Sequence, residues 1–128
     1  MKVPVDLTGV GVVPDGTHEG LIQDVQYQVK TGEKWNKDGT TTVTDEEWSK
    51  YPMENRRLNL VINTPHGMIF HAIYMVEGGL SFVKQAVVAA GASFGKDGFD
   101  PQEMVGKRVR VQTINDDVGT RVKKLLKY

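Results

Sequence analysis

The sequence predicts an all-β fold with one helix: a small five-stranded Greek-key barrel whose helix lies between the third and fourth strands. Three observations lead there. Residues 56–76 read as two strands folded about Asn63-Thr64-Pro65-His66-Gly67, where a Pro fixes one φ and a Gly frees another. The segments on either side alternate apolar and polar residues with the period of a half-buried strand. Between them, a single Ala-rich segment carries apolar residues at helical spacing.

Residues 1–16, with Pro4, Gly9, Gly11, Pro14 and Gly16 among small apolar residues, predict an extended arm lying on the barrel. In residues 17–30 the odd positions Leu21, Val25, Tyr27 and Val29 are apolar and the even ones mostly polar, which predicts a half-buried first strand. Gly20 is read as a bend or bulge in it. Residues 31–55 lose the pattern and predict a long loop, too long for a tight turn and of the length that usually carries function. Within it Thr44 and Glu47 have capping-box spacing for a short helix bearing Trp48.

In the second strand Leu58, Leu60 and Ile62 alternate with Arg57, Asn59 and Val61. The third, residues 68–76, is apolar on both faces and is expected at the centre of a closed or doubly covered sheet. Val83, Ala86, Val87 and Ala90 then predict a helix of about three turns, closed by Gly91. Asp100 and Pro101 predict a capped helical turn. The fourth strand has Val109 and Val111 inward and Arg108, Arg110 and Gln112 outward. After a turn at residues 115–119, the fifth sets Val122, Lys124, Leu126 and Tyr128 against Arg121, Lys123, Leu125 and Lys127. Strand, long loop, strand, strand, helix, strand, strand is the order of the OB-fold.

At 128 residues the chain fits one domain with a core that needs no staple. It contains no Cys, which excludes disulfides and thiolate metal sites. No apolar run has transmembrane length and the N-terminus lacks a signal-peptide core, so a soluble cytoplasmic protein without a membrane partner is expected. Net charge is zero, but the charges divide along the chain. Residues 1–55 hold five Lys and ten acids, and residues 102–128 hold seven Lys or Arg and three acids. A neutral total is therefore compatible with a basic face, although the charges could also mix on folding.

Val13-Pro14-Asp15-Gly16 before the first strand, residues 55–63 (NRRLNLVIN) and residues 104–111 (MVGKRVRV) carry a resemblance to the phage-type single-stranded DNA-binding proteins with an OB-fold. It spans residues 13–127 on short motifs. The resemblance implies sequence-independent binding of single strands in phage replication or recombination, in the cytoplasm of the host. Many members end in an acidic tail that recruits partner proteins. This chain departs from that pattern with Lys123-Lys124-Leu125-Leu126-Lys127-Tyr128, so the recruitment does not carry over.

The residues themselves offer what such binding needs: cations to follow phosphates and flat side chains on which bases stack. Candidate nucleic-acid contacts are Arg56, Arg57, Arg108, Arg110, Arg121 and Lys123 on strands, Trp35, Lys37, Trp48 and Tyr51 in the long loop, and Asn59 and His71 on the second and third strands. Either Trp would also serve to plug a barrel end, Arg57 and Asn59 would also suit a plain solvated face, and Tyr74 is read as core packing rather than stacking.

No enzyme is expected. His18, His66 and His71 fall on separate elements without metal-ligand spacing, no phosphate-binding Gly motif follows a strand, and Asp116-Asp117 suits a turn. No cofactor and no metal is expected. The expected partner is single-stranded DNA, with RNA and self-association left open. The alternative is an OB-like structural or adaptor protein whose aromatic loop holds another protein.

Overall fold

The computed structural model describes residues 13–33, 35, 39–92, 98–116 and 119–128, with residues 77–80 by their backbone alone. Residues 1–12 of the N-terminal arm, and Lys37 of the long loop, lie outside the described residues. Among the described residues there are six strands: β1 (Gly16–Lys30), β2 (Thr40–Val43), β3 (Arg56–Thr64), β4 (Gly67–Tyr74), β5 (Arg108–Asp116) and β6 (Gly119–Lys127). Two helices join them, α1 (Asp45–Trp48) and α2 (Glu77–Ala89). The fold is mostly β, as predicted; β2 is a strand more than expected, and α1 is the short helix that the spacing of Thr44 and Glu47 suggests.

Every pairing is antiparallel and the strands run β4-β3-β1-β5-β6 across one sheet. β1 is long enough to serve three neighbours. Its first part pairs with β5, its end from Tyr27 to Lys30 with β2, and β3 lies along its other side. The ladder is open, with β4 and β6 as its two edges, yet these edges approach one another and α2 packs against both.

Two bulges reset the alternation that the sequence suggests. In β1 the pairing with β3 slips between Ile22 and Asp24, so inward positions are even before the slip and odd after it. Ile22, Val25 and Val29 are therefore buried, whereas Leu21, expected inside, is exposed. In β6 the slip falls opposite Gln112 and Thr113 and leaves Lys123 as the extra residue. Leu125 then turns inward and Leu126 outward, the reverse of strict alternation.

Gly20 lies before the first bulge and answers to close approach. A Cβ there would stand 2.7 Å from Ile62 Cγ2 and 2.8 Å from Val111 Cγ2. Only a bare backbone lets β1 lie so near the methyl groups of β3 and β5.

The core gathers Ile22, Leu58, Leu60, Ile62, Val109 and Val111 from the sheet, with Val83, Ala86 and Val87 from α2 on top. Each such fully buried aliphatic side chain contributes about 1.5–3 kcal/mol relative to exposure. α2 begins at Glu77, earlier than its apolar spacing suggests, and runs through Gly78 and Gly79. It ends as expected: Gly91 is in the left-handed region at φ 71°, the Ala92 N–H donates to Val87 O and the Gly91 N–H to Val88 O, a Schellman closure.

β4 is an edge strand and not a central one. Its two apolar faces have separate reasons. Ile69 and Ile73 enter the core, while Met68, Phe70 and Tyr74 stay exposed on the outside. The loop predicted over residues 31–55 holds β2, α1 and a 3-10 turn at Met53–Asn55. Thr40, Thr41, Thr42 and Val43 are all β-branched and suit the strand they form. Asp100 caps the turn Pro101–Met104 by accepting from the Gln102 N–H at 3.0 Å, as its spacing suggests.

Candidate nucleic-acid interface

Once the bulge has reset β1, the outer faces of three strands line up in rows. Gln28 stands beside Arg57 and Arg57 beside Tyr74; one row further along, Gln26 stands beside Asn59 and Asn59 beside Ala72. These residues point outward because their neighbours Val25, Val29, Leu58, Leu60 and Ile73 are taken by the core.

Arg57 is the hub. Its Nε–H donates to Gln28 Oε1 at 2.8 Å and its Nη1 to the Tyr74 hydroxyl at 3.2 Å. The guanidinium carbon lies 4.6 Å from the centroid of Trp35 and 5.7 Å from that of Tyr74. Trp35 and Tyr74 meet edge to face at 5.5 Å. Cation–π contacts of this kind contribute about 0.5–1 kcal/mol at an exposed site.

Beneath the rings lies a network of amides. Asn59 Nδ2 donates to Gln26 Oε1 at 2.9 Å, and Gln28 Nε2 reaches the same oxygen at 3.4 Å. Asn59 is only 7% exposed, so it braces the platform from below. The result is a cation and two rings held in place before any ligand arrives, with Phe70, 61% exposed, further along the outer face of β4.

The two indoles have different surroundings. Thr44 caps α1 by accepting from the Glu47 N–H at 3.2 Å, which sets Trp48 against the ends of β1 and β3. The Trp48 Nε1–H is shared between Gln28 O and Arg57 O, each at 3.1 Å, and its ring meets Tyr27 edge to face at 5.5 Å. Trp48 is thus a latch at the end of the sheet. Trp35 is the indole on the platform.

Arg56 points to the opposite side of β3 from Arg57, its guanidinium 4.8 Å over the Trp48 ring and its Nε buried without a hydrogen-bond partner. Tyr51 is half-buried in the bend after α1.

The remaining candidates are not brought to the platform. His71 lies on the inner side of β4 between Ile69 and Ile73, edge-on to Phe82 of α2 at 6.3 Å. Burial lowers its pKa to about 4, and its Nε2 has no hydrogen-bond partner. Arg108 and Arg110 are exposed on β5. Arg108 lies 5.8 Å over the ring of Tyr128, whose hydroxyl donates to Glu19 Oε1 at 3.1 Å. On β1 the rows of Arg108 and Arg57 are those of Leu21 and Gln28, roughly 20 Å apart at ~3.3 Å per residue. Arg121 pairs with Asp116 at 2.5 Å across the β5–β6 hairpin, and Lys123 is exposed at the bulge of β6.

Sequence reasoning passed over Gln26, Gln28 and Phe70 and assigned Tyr74 to packing. A strand apolar on both faces gives no sign of which face is inside. The alternation of two glutamines on β1 opposite Arg57 and Asn59 was the available signal.

Among the described residues no group of three or more His, Asp or Glu is placed to hold a metal ion, and no helix is long and apolar enough to cross a membrane. Comparison with protein-family models and with curated protein sequences finds no match for this chain.

Proposed function

We propose that the protein binds single-stranded DNA without regard to sequence, through the outer face of β1, β3 and β4, and acts without catalysis in phage-type replication or recombination. The observation that carries this reading is Arg57 held between Trp35 and Tyr74. A phosphate needs a cation and a base needs a flat partner, and here one hub offers both within a base's width. Stacking is indifferent to base identity and is worth ~1–3 kcal/mol per base.

The fold reading that goes with it is an OB barrel in which β1, β3, β4, β5 and β6 are the five barrel strands. Three features support it: β1 pairs with both β3 and β5, the edges β4 and β6 approach each other, and α2 connects β4 to β5. In that fold the face of the second and third strands, with the loop after the first, is the oligonucleotide-binding surface. Arg57 and Tyr74 lie on those strands and Trp35 in that loop.

Titrating the protein with oligo-dT at low salt should quench Trp fluorescence, with recovery as salt is added. Trp35→Phe should abolish the quenching, and Trp48→Phe should retain it. No quenching and no mobility shift at micromolar protein would reject the reading. The exposed Met68 and Phe70 favour, in that event, an adaptor that holds a protein partner, whose affinity would change little with salt.

A further inference from the structure

Where the edges of β4 and β6 face each other the sheet does not close. A cleft of about 510 Å³ remains, within the ~300–1,000 Å³ range of small-molecule sites. Its walls include Phe70, His71 and Tyr74 of β4, Phe82 of α2, and Arg121 and Val122 of β6. Toward the other end of β6 the edge is sealed by α2, whose Gln85 Oε1 accepts from the Leu125 N–H at 3.0 Å. The open part is thus bounded by strand edges on two sides and a helix on the third.

Three features of the cleft call for a flat, polar-edged occupant. Phe70, Tyr74 and Phe82 are 61, 37 and 42% exposed around one opening, and rings exposed together at one place mark interaction sites. The His71 Nε2 in the wall is buried without a hydrogen-bond partner. Arg121 lines the cleft, and its pairing with Asp116 is solvent-exposed on both sides, hence weak and open to competition by a phosphate.

Tyr74 belongs to both sites: its ring meets Trp35 and Arg57 on the platform and also lines the cleft. A strand crossing the platform therefore arrives at the opening.

We infer that the cleft seats one unpaired base of that strand, with Phe70 and Phe82 against its faces and Arg121 on the adjoining phosphate. This rests on the single-strand reading above. A base in a duplex would first have to leave its stack and its partner, so the cleft adds to the discrimination against duplex DNA that stacking on the platform already gives.

Short oligo-dT carrying one 5-iodouracil, photo-crosslinked to the intact protein, should form adducts on Phe82 or Phe70 as well as on Trp35. Phe82→Ala should weaken oligo-dT binding roughly tenfold, the effect of removing one stack, and should leave the Trp35 quenching at saturation unchanged. A wild-type protein that fails to bind oligo-dT sinks the parent reading. Wild-type binding with adducts confined to Trp35 and Tyr74, and with Phe82→Ala and Arg121→Ala at full affinity, overturns the cleft alone and leaves its unpaired edges to an extended peptide. Should Phe82→Ala fail to fold, the adduct map on the wild type decides.

Discussion

Arg57 is held from two directions at once. Its carbonyl accepts from the Trp48 indole on one side of the strand, and its side chain supports Trp35 on the other. The latch and the platform are therefore joined through one peptide, and loosening Trp48 would displace the cation that orders Trp35. His71, one residue type with two uses open to it, shows what a single side chain conceals. As a sequence position it offers a ring for stacking; in the fold it is a half-buried imidazole with its Nε2 shut off from solvent, because the parity of β4 puts it between Ile69 and Ile73. Its pKa of about 4 lies below the ordinary 6.5 because burial penalises the charged ring. Above pH 6.5 neither the folded nor the unfolded chain protonates it. Between pH 6.5 and about 4 the unfolded chain takes up a proton that the folded chain refuses, so stability falls as pH falls, and the loss levels off below that window. Urea unfolding at pH 7 and pH 4.5 should show wild type losing about 2–3 kcal/mol more than His71→Leu over that interval. Parallel pH profiles would mean that the ring is hydrated in the folded protein.

At the scale of elements, β1 decides what the rest can do, and its backbone is under the tightest demand at Gly20. Alanine there would meet Ile62 and Val111 methyl groups at under 3 Å, and both belong to stiff, buried, β-branched side chains with little room to give. Gly20→Ala should therefore cost about 1–3 kcal/mol by overpacking, read as a lower urea midpoint at unchanged m. A midpoint equal to wild type would show that β1 can shift away from its neighbours. The sequence showed this element's extent and its glycine but not its parity. A bulge adds one residue without changing composition, so Leu21 and Ile22 exchange places and nothing in the local pattern announces it. Lys123 repeats the lesson in β6. Turns and caps were legible because they rest on local chemistry: Thr44, Gly91 and Asp100 act as their residue types require wherever the rest of the chain goes. β2 was missed for the opposite reason, since a four-residue strand is stabilised by its partner on β1 more than by its own pattern. Of the candidate site, Trp35 and Arg57 were visible as residue types, and their meeting was not, because it depends on tertiary contacts of Trp35 with side chains of β3 and β4.

Over the whole molecule, the proposed binding of a polyanion meets zero net charge in where the cations fall. Arg57 stands near one end of β1, and Arg108 and Arg110 on β5 near the other, roughly 20–30 Å away, with Glu19 and Asp24 on the β1 segment between or beside them. Among the described residues these cations do not form a single basic patch. They form a primary site, where cation and rings coincide, and a secondary one, where Arg108 lies over Tyr128. On the proposed reading a short oligo-dT engages only the first, and a longer strand continues along the outer face of β1 to the second. Replacing Arg108 and Arg110 together by Ala should leave the affinity for short oligo-dT at the wild-type value and weaken binding of long oligo-dT. The slope of log affinity against log salt for the long strand should fall by about 0.7 for each phosphate no longer neutralised, or about 1.4 for the pair. The Arg57→Ala change should weaken both lengths alike, since on that reading every strand crosses the platform. Equal losses for short and long strands on changing Arg108 and Arg110 would place those arginines in the primary path. No loss for either would confine binding to the face of β3 and β4, with the basic β5 surface free for another use.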